Sequence, residues 1–107
     1  MKLPAAIQVF FDAEKGAGET APVRAFAPDA TVRDEGRAHI GSDAIEAWWR
    51  AAKAQYHHTA EPQEVVEQRN LTLVRAKVTG QFPGSPAFLT FAFRLENGRI
   101  AALEIGA

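Results

Sequence analysis

The chain has no cysteine, which excludes disulfides, thiolate metal sites and a cysteine nucleophile. It has no excess of charge of either sign: the formal net charge is −1, with Lys and Arg spread along the whole length. That argues against nucleic acid or an anionic membrane surface as an electrostatic partner. It has no apolar run near the ~20 residues that a membrane span requires. Met1-Lys2-Leu3-Pro4 leads into an amphipathic stretch interrupted by Gln8 and Asp12, not into the apolar core of a signal peptide. Internal repeats, linkers and low-complexity tracts are lacking too. The adjacent His57 and His58 do not converge on one metal, and no third histidine or carboxylate stands at ligand spacing, so no metal site is expected. These absences are compatible with a soluble protein, expected to be cytoplasmic and to hold no metal.

What is present is an ordinary globular composition: 107 residues, 47% apolar and 23% charged. The length suits one domain spanning residues 1–107, with a real core. A first helix is expected over 4–15, with Pro4 in its first turn and Leu3, Ile7, Phe10 and Phe11 on one stripe. Gly16-Ala17-Gly18 should end it. A short helical piece over about 19–26 follows, capped by Glu19 or Thr20, with Pro22 in its first turn. Pro28-Asp29 is expected to turn the chain into a strand over 30–35. A very short second strand is expected around His39, between Gly36 and Gly41.

The main helix should start at a cap on Ser42 or Asp43 and carry Ile45, Trp48, Trp49, Ala52 and Tyr56 on one apolar stripe. Glu46 and Arg50 pair on its other side. Beyond it the period changes to two. Residues 59–69 form a polar edge strand holding Pro62; 71–82 and 89–95 alternate well; Asn97-Gly98 signals a tight hairpin turn; and 100–105 close the chain. The order gives an α+β fold, helices packed on one face of a curved sheet, with a cavity between them.

Asp34 is the leading candidate for chemistry. Alternation puts it on the same face as Ala30 and Val32, opposite Thr31, Arg33 and Glu35. A carboxylate facing an apolar cavity is desolvated, which raises its pKa toward the range useful for a general base. The competing role is local: accepting backbone N–H groups in the Asp34-Glu35-Gly36 turn, or pairing with Arg33 or Arg37.

His39 is the second catalytic candidate, an acid, base or donor at the cavity mouth, against the alternative of a half-exposed loop histidine. Trp48 and Trp49 are read as cavity wall and core rather than as a stacking platform, with Trp48 in the ligand-binding set, since only one of two consecutive helix positions faces squarely inward. Tyr56 offers a hydroxyl to a ligand or is a core residue with a wet tip. His57 and His58 stand where a helix C-terminus favours a cation, and His58 joins the ligand-binding set. Phe10, Phe91, Phe93, Leu103 and Ile105 line or fill the interior. The outward parity of Leu71, Leu73 and Phe88 gives the sheet a second apolar face, and hence a homodimer.

Three stretches, LPAAIQVFFDA, FAPDATVRDEGRAHIGSDAIEAWW and FRLENGRIAALEI, resemble the SnoaL-like branch of the nuclear transport factor 2-like superfamily over nearly the whole chain. The resemblance implies a cone of curved antiparallel sheet wrapped around helices, with an internal pocket. It also implies a small apolar ligand and either a cofactor-free isomerase, cyclase or dehydratase or a non-catalytic binding or scaffold module. Within that superfamily, ATVRD is similar to the ketosteroid isomerase strand that ends in the general-base aspartate, so Asp34 corresponds to that base. The chain departs from the enzyme at its two oxyanion donors: Phe10 stands in place of the tyrosine and Phe91 in place of the protonated aspartic acid. Losing one such donor typically costs ~3 kcal/mol. A different donor is therefore implied, from among His39, Tyr56, His57 and His58.

Overall fold

The computed structural model describes residues 1–16 and 20–107. Helix α1 (Ala5–Lys15) is followed by a single 3-10 turn (Val23–Ala25), strand β1 (Phe26–Asp34) and strand β2 (Arg37–Ile40). Helix α2 (Ser42–Tyr56) precedes four strands, β3 (Thr59–Gln68), β4 (Leu71–Thr79), β5 (Ala87–Glu96) and β6 (Arg99–Gly106). They build one six-stranded sheet in the order β2-β1-β6-β5-β4-β3. No described helix is long and apolar enough to cross a membrane.

Several boundaries differ from expectation, each for a local reason. The sheet is mixed: β1 lies parallel to β6, whereas every other neighbouring pair is antiparallel. That pairing is possible because α2 and four strands separate the two in sequence, ample for a parallel crossover. Pro28 and Asp29 lie within β1, not in a turn. They sit where the register against β6 shifts between Phe26 and Thr31, a bulge that tolerates the missing proline N–H. The N-cap of α2 is Gly41, whose carbonyl accepts from the Ile45 N–H at 3.0 Å; Ser42 is the first helical residue, and no side chain caps the helix. The expected helical piece over 19–26 is only the three-residue turn, with Pro22 just before it. Ala17, Gly18 and the Glu19 cap lie outside the described residues.

Three register irregularities give the sheet its curvature, since a bulge bends the strand that carries it. One is in β1, one lies between Pro62 and Glu64 of β3 against β4, and one between Arg94 and Leu95 of β5 against β6. Strands β2 and β3 are the two edges, and the proline and three separated glutamates of β3 suit that position. Inside the curve, α1 lays Ile7, Phe10 and Phe11 on Val74, Phe91 and Phe93, all of them buried. Phe10 meets Phe11, Phe26 and Phe93 edge-on, with centroids 5.2, 6.1 and 5.6 Å apart. Such contacts add about 0.5–1.5 kcal/mol each beyond the area they bury. One end of the cone is therefore solid.

At the other end the chain leaves α2 through His57, a left-handed residue (φ 47°) whose N–H closes the helix on the Lys53 carbonyl. The return of β4 passes this point at Gly80. A Cβ there would lie 2.8 Å from the Tyr56 carbonyl oxygen and 2.9 Å from the His58 Cα, both backbone atoms. Gly80→Ala is expected to lose about 1–3 kcal/mol, the usual cost of overpacking a rigid contact. Urea unfolding measures it; an unchanged midpoint would show that the helix end yields to the methyl group.

Candidate functional site

Between α2 and the open end of the cone lies a cavity of about 350 Å³, lined by Asp34, Trp48, Trp49, Tyr56, His58 and Phe91 among others. The volume falls within the range of small-molecule sites. Most of the remaining wall is apolar: Ala52, Val78, Phe82, Pro83, Leu89 and Ile105. Its polar groups come from α1, β1, α2 and the connections that follow β1 and α2.

Asp34 is the last residue of β1. The two-residue turn that follows has positive φ at both Glu35 (52°) and Gly36 (76°), the tight hairpin geometry that matches strand twist. Glycine meets that requirement freely at the second position. The turn fixes the end of β1, so the Asp34 carboxyl enters the cavity while Glu35 stands at its rim. Trp48 Nε1–H donates to Asp34 Oδ2 at 3.0 Å. Partial burial raises the Asp34 pKa above its ordinary 3.8; the Trp48 hydrogen bond opposes the rise, Glu35 adds to it and His39 opposes it. Tyr56 donates its hydroxyl to Glu35 Oε2 at 3.0 Å, and that bond raises the tyrosine pKa.

A second polar group lies in the same wall and centres on Glu14, which is 3% exposed. Trp49 Nε1–H donates to its Oε1 at 2.8 Å, Lys53 Nζ lies 3.4 Å from Oε1, and His58 Nε2 lies 3.2 Å from Oε2. Lys53 also donates to the carbonyls of Glu14 and His58, at 3.2 and 2.6 Å. Burial lowers the Lys53 pKa, and Glu14 resists that shift by favouring the charged form. His58 Nδ1 is shut off from solvent and has no partner.

The residues singled out from the sequence separate into three groups. Asp34, Trp48, Tyr56, His58 and Phe91 are brought together in the cavity wall. Phe10, Phe93 and Leu103 are not: all three are at most 1% exposed and form the solid core behind it. His39, on β2, packs its ring on Trp48 (centroids 6.1 Å apart) and is not part of the wall. Both tryptophans reach the cavity, because indole rings on consecutive positions spread to opposite carboxylates. Glu14 and Lys53 were missed. Glu14 continues the Leu3-Ile7-Phe10-Phe11 stripe, and that position on an apolar face was the signal available for it. Among the described residues no group of three or more His, Asp or Glu side chains is placed to hold a metal.

A curved sheet and two helices enclosing one apolar cavity, with a desolvated carboxylate in its wall, define a small ligand-pocket protein of the nuclear transport factor 2-like fold. The chain belongs to the family of the SnoaL-like domain, whose model matches residues 7–103. It is 49% identical to a Sinorhizobium meliloti protein named a "putative polyketide cyclase", covering 96% of this chain and 94% of that one with a TM-score of 0.90. A Catenulispora acidiphila protein of ketosteroid isomerase-like fold, solved with trimethylamine, superposes with a TM-score of 0.84 at 18% identity, covering 99% and 87% of the two chains. A Mycobacterium tuberculosis protein does so at 0.78 and 16%, covering 94% and 86%. At such identities the likeness shows the fold alone. A comparison with curated proteins finds no match.

Two measurements follow from this geometry. Glu14→Ala leaves a buried ammonium without its carboxylate and is expected to lose about 3–5 kcal/mol in denaturant unfolding; a loss under 1 kcal/mol would mean Lys53 finds other solvation. Trp48→Phe removes a hydrogen bond to the ionised form of Asp34, so the Asp34 pKa, followed by carboxyl 13C NMR, is expected to rise further above 3.8. No change, or a fall, would show that the indole does not hold the anion.

Proposed function

We propose that the protein binds a small, largely apolar carbonyl compound in this cavity and that Asp34 acts on it as a general base, without a cofactor. The observation that carries the reading is the Asp34 carboxyl itself: partly desolvated, with a raised pKa, tied at one oxygen by Trp48 and opening onto about 350 Å³ of mainly apolar space. A base of that kind removes a proton next to a carbonyl, the step shared by isomerisation, cyclisation and dehydration. The name of the Sinorhizobium meliloti relative supports the cyclase form of the reading.

A second reading, a ligand-binding or scaffold module without turnover, is favoured by the donors. The two positions that resemble oxyanion donors are Phe10, in the core, and Phe91, in the wall. The Trp48, Trp49 and Tyr56 donors are committed to carboxylates of the protein. The outer sheet face, with Phe88 49% and Val66 48% exposed, supports a homodimer in either reading.

α-Proton exchange of 2-tetralone in D2O, followed by proton NMR, tests the base. Wild-type protein should accelerate exchange, and Asp34→Asn should remove roughly a hundredfold or more of that acceleration. Exchange at the buffer rate, or equal acceleration by the variant, leaves only the binding module. Stability supplies a separate check. A carboxyl whose pKa is higher folded than unfolded favours folding while protonated, and that contribution disappears as pH rises through the folded value. Relative to Asp34→Asn, the wild type should therefore be most stable below pH 3.8 and lose ground as pH rises through the folded pKa. A difference independent of pH would mean the acid is not desolvated.

A further inference from the structure

We propose that the compound held in the cavity carries a substituted ammonium group, seated between the Asp34 and Glu35 carboxyls and the rings of Trp48, Tyr56 and Phe82. The inference rests on reading the cavity as a small-molecule site and names the class of molecule that the site takes. It does not depend on Asp34 acting as a base.

The charge of the wall is unbalanced. Glu14, Asp34 and Glu35 all line the cavity, and no Lys or Arg side chain does. Glu14 has its own cation, since Lys53 Nζ lies 3.4 Å from its Oε1. The carbonyls of Glu14 and His58 hold the same ammonium, so its charge is spent behind the wall. Asp34 and Glu35 have no such partner: among the described residues, neither makes an ion pair. They are consecutive, and the charge of Glu35 opposes ionisation of Asp34. A cation beside the two relieves that repulsion, and in a partly desolvated cavity the attraction is several times what it is in water. Among the described residues no three His, Asp or Glu side chains are placed to hold a metal, so the cation is an organic one.

The aromatic part of the wall suits the same charge. Trp48, Trp49 and Tyr56 each donate the one polar hydrogen they carry to a carboxylate, on Asp34, Glu14 and Glu35 respectively. The positive edge of each ring is thereby neutralised and its π density enriched, which strengthens the pull of the ring face on a cation. Trp49 already holds one, with Lys53 Nζ 5.5 Å from its ring centre. Tyr56 and Phe82 meet edge to face, 6.0 Å and 86° apart, and form a two-sided corner beside Glu35. An ammonium bearing alkyl groups gains from both features: its charge meets the unpaired carboxyls and its carbons bury against the rings. A neutral ligand of the same shape gains from the rings alone. Next to a carbonyl, the same charge offsets the negative charge that proton removal builds on the oxygen, a task for which Phe10 and Phe91 supply no donor.

Calorimetric titration of the whole protein with phenacyltrimethylammonium and with its carbon isostere, neopentyl phenyl ketone, tests the proposal. The first keeps its charge at every pH, and the two differ only in nitrogen against carbon. The cation is expected to bind wild type roughly tenfold or more tightly, as a desolvated cation–π contact beside two carboxylates implies. The double variant Asp34→Asn with Glu35→Gln should bring the two affinities together. On the wild-type protein alone, the Asp34 pKa followed by carboxyl 13C NMR should fall when the cation is added, since a nearby positive charge favours the anion. The ketone should not lower it, because it only displaces water. Equal or tighter binding of the ketone, an undiminished preference in the double variant, or an Asp34 pKa that the cation leaves unmoved or raises each overturns the ammonium assignment while leaving the ligand cavity standing. Failure of both compounds to bind overturns this proposal and the small-molecule reading together.

Discussion

Two neighbouring indoles hold the open end of the molecule together. Trp48 and Trp49 stand side by side on α2, and each gives its one N–H to a carboxylate of a different element, Asp34 of β1 and Glu14 of α1. The helix is thereby tied to the sheet on one side and to the first helix on the other, with the cavity between the two ties. Were the acids unpaired, partial burial would drive them toward the neutral form. Were the indoles unpaired, two N–H groups at the cavity would lack acceptors. Each hydrogen bond meets both needs, and together they keep the hollow from collapsing onto the phenylalanines.

The two acids so held are electrically unlike. Glu14 has a cation within reach, since the Lys53 ammonium sits 3.4 Å from it and 5.5 Å from the centre of the Trp49 ring. Asp34 has neutral donors on its carboxyl, the Trp48 indole and the Glu35 backbone N–H, and a second carboxylate, Glu35, as the next residue, with His39 acting on it only as a more distant charge. A buried ion pair favours a fixed arrangement, while a lone desolvated carboxylate favours reactivity. The cavity therefore combines a rigid pole and a labile one, both anchored on a single helix.

Much of this architecture is legible in the sequence. The period-two alternation of residues 71–105, the apolar stripes of both helices and the Asn97-Gly98 turn reflect rules that act over a few residues, and each placed its element. The inward face of Asp34 followed from the same alternation. What could not be seen was what depends on strands meeting from afar. The parallel seating of β1 on β6 and the bulge that absorbs Pro28 and Asp29 are set by partners about 70 residues away in sequence. Whether a phenylalanine fills the cone or lines it is likewise decided by depth: Phe10 and Phe93 lie in the packed interior and Phe91 at its boundary. Glu14 and Lys53 were hidden for another reason. Glu14 shows only its place on an apolar stripe, and Lys53 looks like an ordinary surface charge, until the two are found together, 39 residues apart along the chain.

The aromatic plug behind Phe91 has a further consequence. Because α1 and the inner sheet face meet there without a gap, the chamber is blind at that end, and Phe82, Pro83, Tyr56 and Glu35 form the rim at the other. A molecule longer than the chamber is deep must leave its tail outside, in water. Molecular length, as much as chemical kind, then sorts what the protein can hold, and whatever leaves does so tail first by the route it took in.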